Sequence, residues 1–315
     1  MGEVDLKGML EMVRPITKGE GGLAALVFST KGRLYSFFRN VMLSCPTPEG
    51  FPEFCCNGDM LVKAATKTSK LSVSETRLTL VSGKVRTWLP LDTESMLPEP
   101  VPGAEFVQVP EGLIKMLVDL AKLVPEEAPQ IWATSLLLKG AYAYATNGAY
   151  IVRQKLDVQL PFTAAFPKAL VTVLAKLKKP LGTMSFDGHQ IYITFTDGSR
   201  LSSPVYGSEW PDVSSFFEAL DMEPVHPELI EFLQQVKPFT EDDPKVTFEK
   251  PNTASFWAGE TMAEAKFDSE WIKSDFATSL KYLSAFVDRS AEIAFTKRYA
   301  MIKYPSRTII LAAKG

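Results

Sequence analysis

Ala145-Thr146-Asn147-Gly148-Ala149-Tyr150-Ile151-Val152, followed farther along by Gly198-Ser199-Arg200-Leu201-Ser202-Ser203-Pro204 and then Glu209-Trp210-Pro211-Asp212, decides how this chain reads. Each segment describes a strand reaching a turn. Asn147-Gly148 supplies the positive backbone angles of a tight turn, and Trp210-Pro211-Asp212 ends a strand because proline cannot donate to a ladder. Neither stretch carries a nucleophile, a metal-ligand set or a phosphate cradle.

With 315 residues the chain can hold two or three domains with ample core. Hydrophobic residues make up 46% and charged residues 23%, which is the profile of a soluble globular protein. No run of about eighteen apolar residues occurs, so no membrane span is expected. Met1-Gly2-Glu3-Val4-Asp5 lacks the basic and apolar regions of a secretory signal, and Gly2 lacks the Ser or Thr that myristoylation requires. Cys45, Cys55 and Cys56 have no zinc spacing, and neighbouring strand residues face opposite sides. They read as reduced thiols in strands of a cytoplasmic protein. A net charge of −3 argues against gripping nucleic acid through bulk positive charge, so the placement of charge matters more than its sum.

The chain falls into three lengths with one internal rhythm of helix, strands, second helix and further strands. Helices are expected at Val4–Val13 and after Asn57 in the first length, and at Pro110–Leu123 and Pro167–Leu177 in the second. The third has Pro227–Val236 and Trp271–Ala285. Strands are expected between them, among them Ser72–Val81, Lys84–Leu89, Ile131–Leu138, Tyr150–Val158, Lys245–Glu249, Thr253–Ala258 and Thr308–Ala312. Self-similarity at this period means copies of one unit.

In order and spacing, the opening segments resemble the middle domain of the bacterial β sliding clamp, the β subunit of DNA polymerase III. There Ala-Thr-Asp-Gly and a later Ser-Arg-Leu…Phe-Pro-Asp flank the pocket that receives partner peptides. Here Asn147 stands for the Asp and Trp210 for the Phe. The resemblance spans the whole chain, best in the middle third and at the C-terminus. It implies an α+β fold of three repeated clamp domains, 1–103, 104–219 and 220–315. Each would be a pair of helices backed by two antiparallel sheets, assembling into a ring. The chain is shorter than cellular clamps, which suggests a bacteriophage-encoded version working in the host cytoplasm.

The resemblance also implies a DNA sliding clamp that tethers a replicative polymerase to encircled duplex and is placed there by an ATP-dependent clamp loader. A ring of this kind can be acidic outside and basic within. The lining would carry Lys7, Arg14, Lys63, Lys67, Lys70, Lys115, Lys122, Lys168, Lys176, Lys178, Lys179, Lys237, Lys273 and Lys281. Lysine without interleaved aromatics suits diffuse attraction to phosphates rather than base reading. Carried over residue by residue, the peptide pocket comprises Thr146, Gly148, Ala149, Tyr150, Ile151, Pro211, Ser215, Phe216, Ile309, Ile310 and Leu311. Ala149 and Tyr150 replace the family's His and Arg, and Ala312 its Pro. Two copies would close the ring head to tail, the edge strand with Trp88 and Leu89 meeting the region of Val236 and Phe239.

Enzymatic readings find little support. His189 and His226 have no ligand partners at metal spacing and read as surface residues, and Glu241-Asp242-Asp243 before Pro244 reads as a solvated loop. No Gly-rich phosphate loop, nucleophile elbow or paired catalytic carboxylates occur, and no cofactor is expected. Two alternatives stay open: a clamp-like scaffold that recruits partners without encircling DNA, and an enzyme of unrecognised type, which a cleft with strongly shifted titrating groups would reveal.

Overall fold

The computed structural model describes residues 6–13, 26–38, 40–67, 69–95, 106–110, 112–177, 179–205, 210–239, 244–258, 260–268 and 270–314. Six α-helices lie among them: α1 (Leu6–Val13), α2 (Gly58–Ala64), α3 (Leu113–Ala121), α4 (Lys168–Leu177), α5 (Pro227–Val236) and α6 (Leu280–Phe286). They pack in sequence as pairs, α1 on α2, α3 on α4 and α5 on α6. The local signals are legible. Asn57 caps α2 by accepting from the Met60 N–H, Ser279 caps α6 by accepting from Tyr282, and Pro227 opens α5 where no N–H is needed. The chain forms two compact units, residues 1–121 with 160–207, and residues 122–159 with 208–315.

In the first unit one antiparallel sheet runs in the order Phe54–Asn57, Leu26–Thr30, Arg33–Phe38, Val41–Pro46, Arg200–Pro204, Gln190–Phe195, Leu181–Phe186 and Phe106–Gln108. It joins strands far apart in sequence where Met42, Leu43 and Ser44 meet Ser202, Leu201 and Arg200. A second sheet has the order Lys70–Val73, Arg77–Ser82, Val85–Pro90. The single strand expected over Ser72–Val81 is in fact two. The Ser74 N–H donates to the Arg77 carbonyl and closes a turn, because Ser74-Glu75-Thr76 offers side chains that compete with a ladder. Cys45, Cys55 and Cys56 are free thiols, and burial pushes them up to about 11, 12 and 12. Their reactive thiolate form is therefore scarce at neutral pH.

The second unit's main sheet has the run Ser135–Lys139, Tyr142–Thr146, Tyr150–Lys155, Arg307–Ala312, Tyr299–Lys303, Glu292–Phe295 and Glu223–Pro224. A second sheet runs Thr261–Lys266, Thr253–Ala258, Lys245–Glu249, Phe276–Ser279. Two expectations change here. Residues Ile131–Thr134 form a 3₁₀ turn, because the Thr134 and Ser135 hydroxyls donate to the Ile131 and Trp132 carbonyls. The last helix begins at Leu280 rather than Trp271. Trp271 and Ile272 are spent filling the core, where Trp271 packs on Phe267 and Phe295 at 5.3 Å each, and Phe276–Ser279 pairs with Lys245–Phe248. His226, expected at the surface, is half-buried and stacked on Trp271 at 5.0 Å, whereas His189 is exposed.

Candidate functional site

The expected pocket residues all fall in the second unit, where the register divides them between two faces of one sheet. Tyr150 stands opposite Leu311, Ile151 opposite Ile310, and Val152 opposite Ile309. Residues opposite one another share a face, and successive residues alternate. Tyr150, Leu311 and Ile309 therefore point one way, and Ile151 and Ile310 the other.

The first face is sealed. Tyr150 is 6% exposed, its ring lies edge-on to Tyr282 and Phe286 at 5.0 Å each, and its hydroxyl donates to the Leu123 carbonyl. Burial, followed by the neighbouring Tyr282, pushes this phenol up to about 12. Ile309 and Leu311 are each 1% exposed. These three side chains belong to the core beneath α6.

The second face carries Ile151 and Ile310 and is packed by the segment that follows Trp210. Tyr144, Leu137 and Ile151 are covered by the segment from Trp210 to Phe217, with Val213 buried among them. Trp210 packs on Trp132 at 5.2 Å and donates through Nε1 to Ser135 Oγ. Phe217 meets Tyr144 at 5.8 Å, and the Arg153 guanidinium lies 4.3 Å from the Phe217 ring and 4.9 Å from that of Tyr142. Phe216 rests edge-on against Tyr299 at 5.9 Å and stays 37% exposed, while Pro211 and Ser215 are open to solvent. Burial raises the Tyr144 phenol, outweighing the nearby Arg153, so this face keeps its phenol neutral.

The turn at the end of the strand works differently from the expectation. Gly148 has φ +90°, but Asn147 is not in the left-handed region. Asn147 instead accepts at Oδ1 from the Ala149 and Tyr150 N–H groups and donates through Nδ2 to the Tyr282 hydroxyl. Thr146 is 2% exposed; its hydroxyl donates to the Tyr150 carbonyl and accepts from the Gly148 N–H. Together these bonds fix the loop by side chains.

The lysines are unequal. Lys7, Lys63, Lys115, Lys176 and Lys281 are exposed on helices, Lys122 and Lys237 lie exposed just past helix ends, and Lys67 and Lys70 are exposed after α2. Lys168 is half-buried at the start of α4. Lys273 precedes the last helix and bridges Asp221 and Glu223 at 2.8 and 2.7 Å, which hold its ammonium above the usual range. Lys63 pairs with Asp59 one turn earlier. Lys179 is 19% exposed at its side chain and pairs with Asp197 at 2.5 Å. Arg14 and Lys178 lie outside the described residues.

Burial pushes the Asp197 carboxyl up, but hydrogen bonds from Lys179 and Ser199 outweigh it and hold the group below the ordinary carboxylate range. A depressed carboxyl stabilises the fold above its unfolded value and loses that contribution as pH falls through the folded value. Lys179→Met should therefore flatten the loss of stability as pH falls below the ordinary carboxylate range. Urea midpoints at neutral and acid pH check this, and parallel curves for the two proteins would contradict it.

Of the expected seam residues, Leu89 and Val236 are buried at 3% and 1%, while Trp88 and Phe239 are exposed at 53% and 39%. Two surface residues escaped the sequence reading: Trp257 and Met262, a cross-strand pair next to the sheet edge, 59% and 48% exposed. The alternation of Thr253–Ala258, with Ala254 and Phe256 buried, was the available signal. No described helix is long and apolar enough to cross a membrane, and among the described residues no three His, Cys, Asp or Glu side chains cluster to hold a metal.

No protein-family model matches the chain, and no curated protein matches its sequence. Solved structures do match it. The DNA polymerase III subunit beta from Pseudomonas aeruginosa superposes with TM-score 0.75 at 15% identity, covering 98% of this chain and 97% of that one. The Helicobacter pylori beta clamp bound to a DNA ligase peptide gives 0.70 at 14%, covering 99% and 98%. The DNA polymerase III beta subunit from Thermotoga maritima gives 0.70 at 14%, covering 99% and 97%. At these identities the likeness is one of architecture: the chain has the α+β fold of the bacterial β sliding clamp, with its few helices and several antiparallel sheets.

Proposed function

We propose that this chain is a DNA sliding clamp, a non-enzymatic processivity factor that encircles duplex DNA and tethers a replicative polymerase. The observation that carries the proposal is the superposition over nearly the full length of both chains, in structures that include a peptide-bound clamp. On this reading the chain contributes three clamp domains, 1–103, 104–219 and 220–315, and two copies close head to tail with help from an ATP-dependent loader. The six helices line the hole, and the exposed lysines Lys7, Lys115, Lys176 and Lys281 supply diffuse attraction to phosphates without a sequence-specific well.

The tethering site is the outer face of the sheet around Ile151, Pro211, Phe216, Tyr299 and Ile310. Its partly exposed phenylalanine beside an apolar floor suits a short linear segment anchored by one or two large side chains. Micromolar affinity is the natural scale, since each anchor contributes on the order of 2 kcal/mol.

The test is topological. After loading, the protein should remain on closed circular duplex through gel filtration and run off the same DNA once it is linearised. Charge reversal at Lys115, Lys176 and Lys281 should shorten retention without lowering the thermal midpoint. Equal, salt-resistant retention on short linear duplex would sink the encircling reading.

A further inference from the structure

The outer face of the second unit's sheet already has an occupant, and it is the chain itself. Ser214–Phe217 is a single 3₁₀ turn with no buried residue and no side-chain N-cap bond. Its backbone is tied by the Phe216 N–H to the Val213 carbonyl at 3.2 Å, and Asp212 accepts from the Ser214 N–H and hydroxyl. The turn lies against the final strand. Its two phenylalanines differ. Phe217 is half-buried, held between Tyr144 and the Arg153 guanidinium, and is part of the cluster that covers Leu137 and Val213. Phe216 touches Tyr299 by an edge-to-face contact and leaves more than a third of its surface in water. A short turn with sparse backbone bonds and one partly exposed ring is the kind of segment that opens locally at low free-energy cost.

Building on the clamp reading above, we propose that Phe216 is a displaceable plug: it fills the aromatic position of the partner cleft in the unliganded chain, and a partner segment bearing an aromatic anchor takes its place against Tyr299. The chemistry follows from the surroundings. Tyr299 presents a ring face or edge, Ile151 and Ile310 lie on the same side of the sheet, and an incoming ring reproduces the contact that Phe216 gives up. An aliphatic anchor loses that edge-to-face contact and competes less well. Binding is then an exchange of one phenylalanine for another, so wild-type affinity is reduced by the fraction of time the plug is seated.

The experiment uses the full chain and a fluorescently labelled synthetic heptapeptide, Asp-Val-Ser-Ser-Phe-Phe-Glu, copying residues 212–218. Phe216→Ala should bind this peptide about tenfold more tightly than wild type, since the vacated site regains a buried ring. Phe216→Leu should fall between the two, and a peptide with leucine in place of its first phenylalanine should gain less from Phe216→Ala. The thermal midpoints of both variants should stay near wild type. Weaker binding by Phe216→Ala would make Phe216 a fixed wall of the cleft, which overturns the plug and leaves the clamp reading standing. Equal affinity for wild type and variant also overturns the plug. Binding by neither protein, with Phe216→Ala still folded, overturns the plug and the cleft assignment together, while retention on circular DNA tests the ring separately.

Discussion

Leu311→Asp should unfold the second unit, because the side chain is 1% exposed and faces inward beside Tyr150. The substitution removes a buried aliphatic group, which by itself costs about 2–5 kcal/mol. It also places a carboxylate opposite Tyr150, whose ring packs on Tyr282 and Phe286 in the core beneath α6. An unpaired buried charge adds several kcal/mol or forces the carboxyl to take up a proton. Against a total stability of about 5–15 kcal/mol, the sum removes most or all of the fold. Urea unfolding checks this: a wild-type midpoint for Leu311→Asp would show that the strand turns its other face inward. Leu311 is thus a poor probe of partner binding, although the resemblance puts it in the pocket. Ile151→Ser, on the opposite face and only half-buried, tests the cleft with less damage to the core.

In the proposed head-to-tail ring, Trp88→Asp should weaken self-association while leaving the monomer folded. Trp88 sits on the edge strand Val85–Pro90, 53% exposed, with the Arg77 guanidinium 6.0 Å from its ring. An exposed tryptophan on an unpaired strand edge is costly to leave in water and well suited to anchor an interface. Because its own chain gives it so little cover, losing it should change unfolding by no more than about 0.5 kcal/mol. Losing a hot-spot anchor of about 2 kcal/mol or more should weaken a dimer by about thirtyfold or beyond. Sedimentation over a concentration series reads both effects, and an unchanged dimer would move the seam elsewhere. Trp257→Asp, one strand in from the edge strand Thr261–Lys266, is the matching experiment on the other exposed sheet.

Where local chemistry decides, the sequence was a good guide. Pro227–Val236 begins at its proline and carries its apolar side at helical spacing, and Lys245–Glu249 and Thr253–Ala258 alternate as half-buried strands do; all three have the expected bounds. Misreadings arose where tertiary demand overrides pattern. Trp271 and Ile272 have the spacing of a helix start, yet the core between Phe248, Phe267 and Phe295 needs them as filler. For the proposed site, the order of the motif is what nominates Thr146, Ile151, Pro211 and Phe216. The face on which each side chain lies could not be read from it, since it depends on the register between strands distant in sequence. Nor could a lysine's partner be read: Asp197 lies well beyond any helical spacing from Lys179.

The joining of Tyr150–Lys155 to Arg307–Ala312 also sets a clock. A nascent chain exposes the strand Tyr150–Lys155, with its backbone edge unpaired, throughout synthesis of the last half of the protein. Only when residue 312 has cleared the ribosome can the second unit complete its sheet. Long-range strand pairing of this kind is slow, and the waiting edge is a template for wrong partners. The cost of the architecture therefore falls on biogenesis, where chaperone occupancy and expression temperature, rather than equilibrium stability, would govern the yield of folded protein.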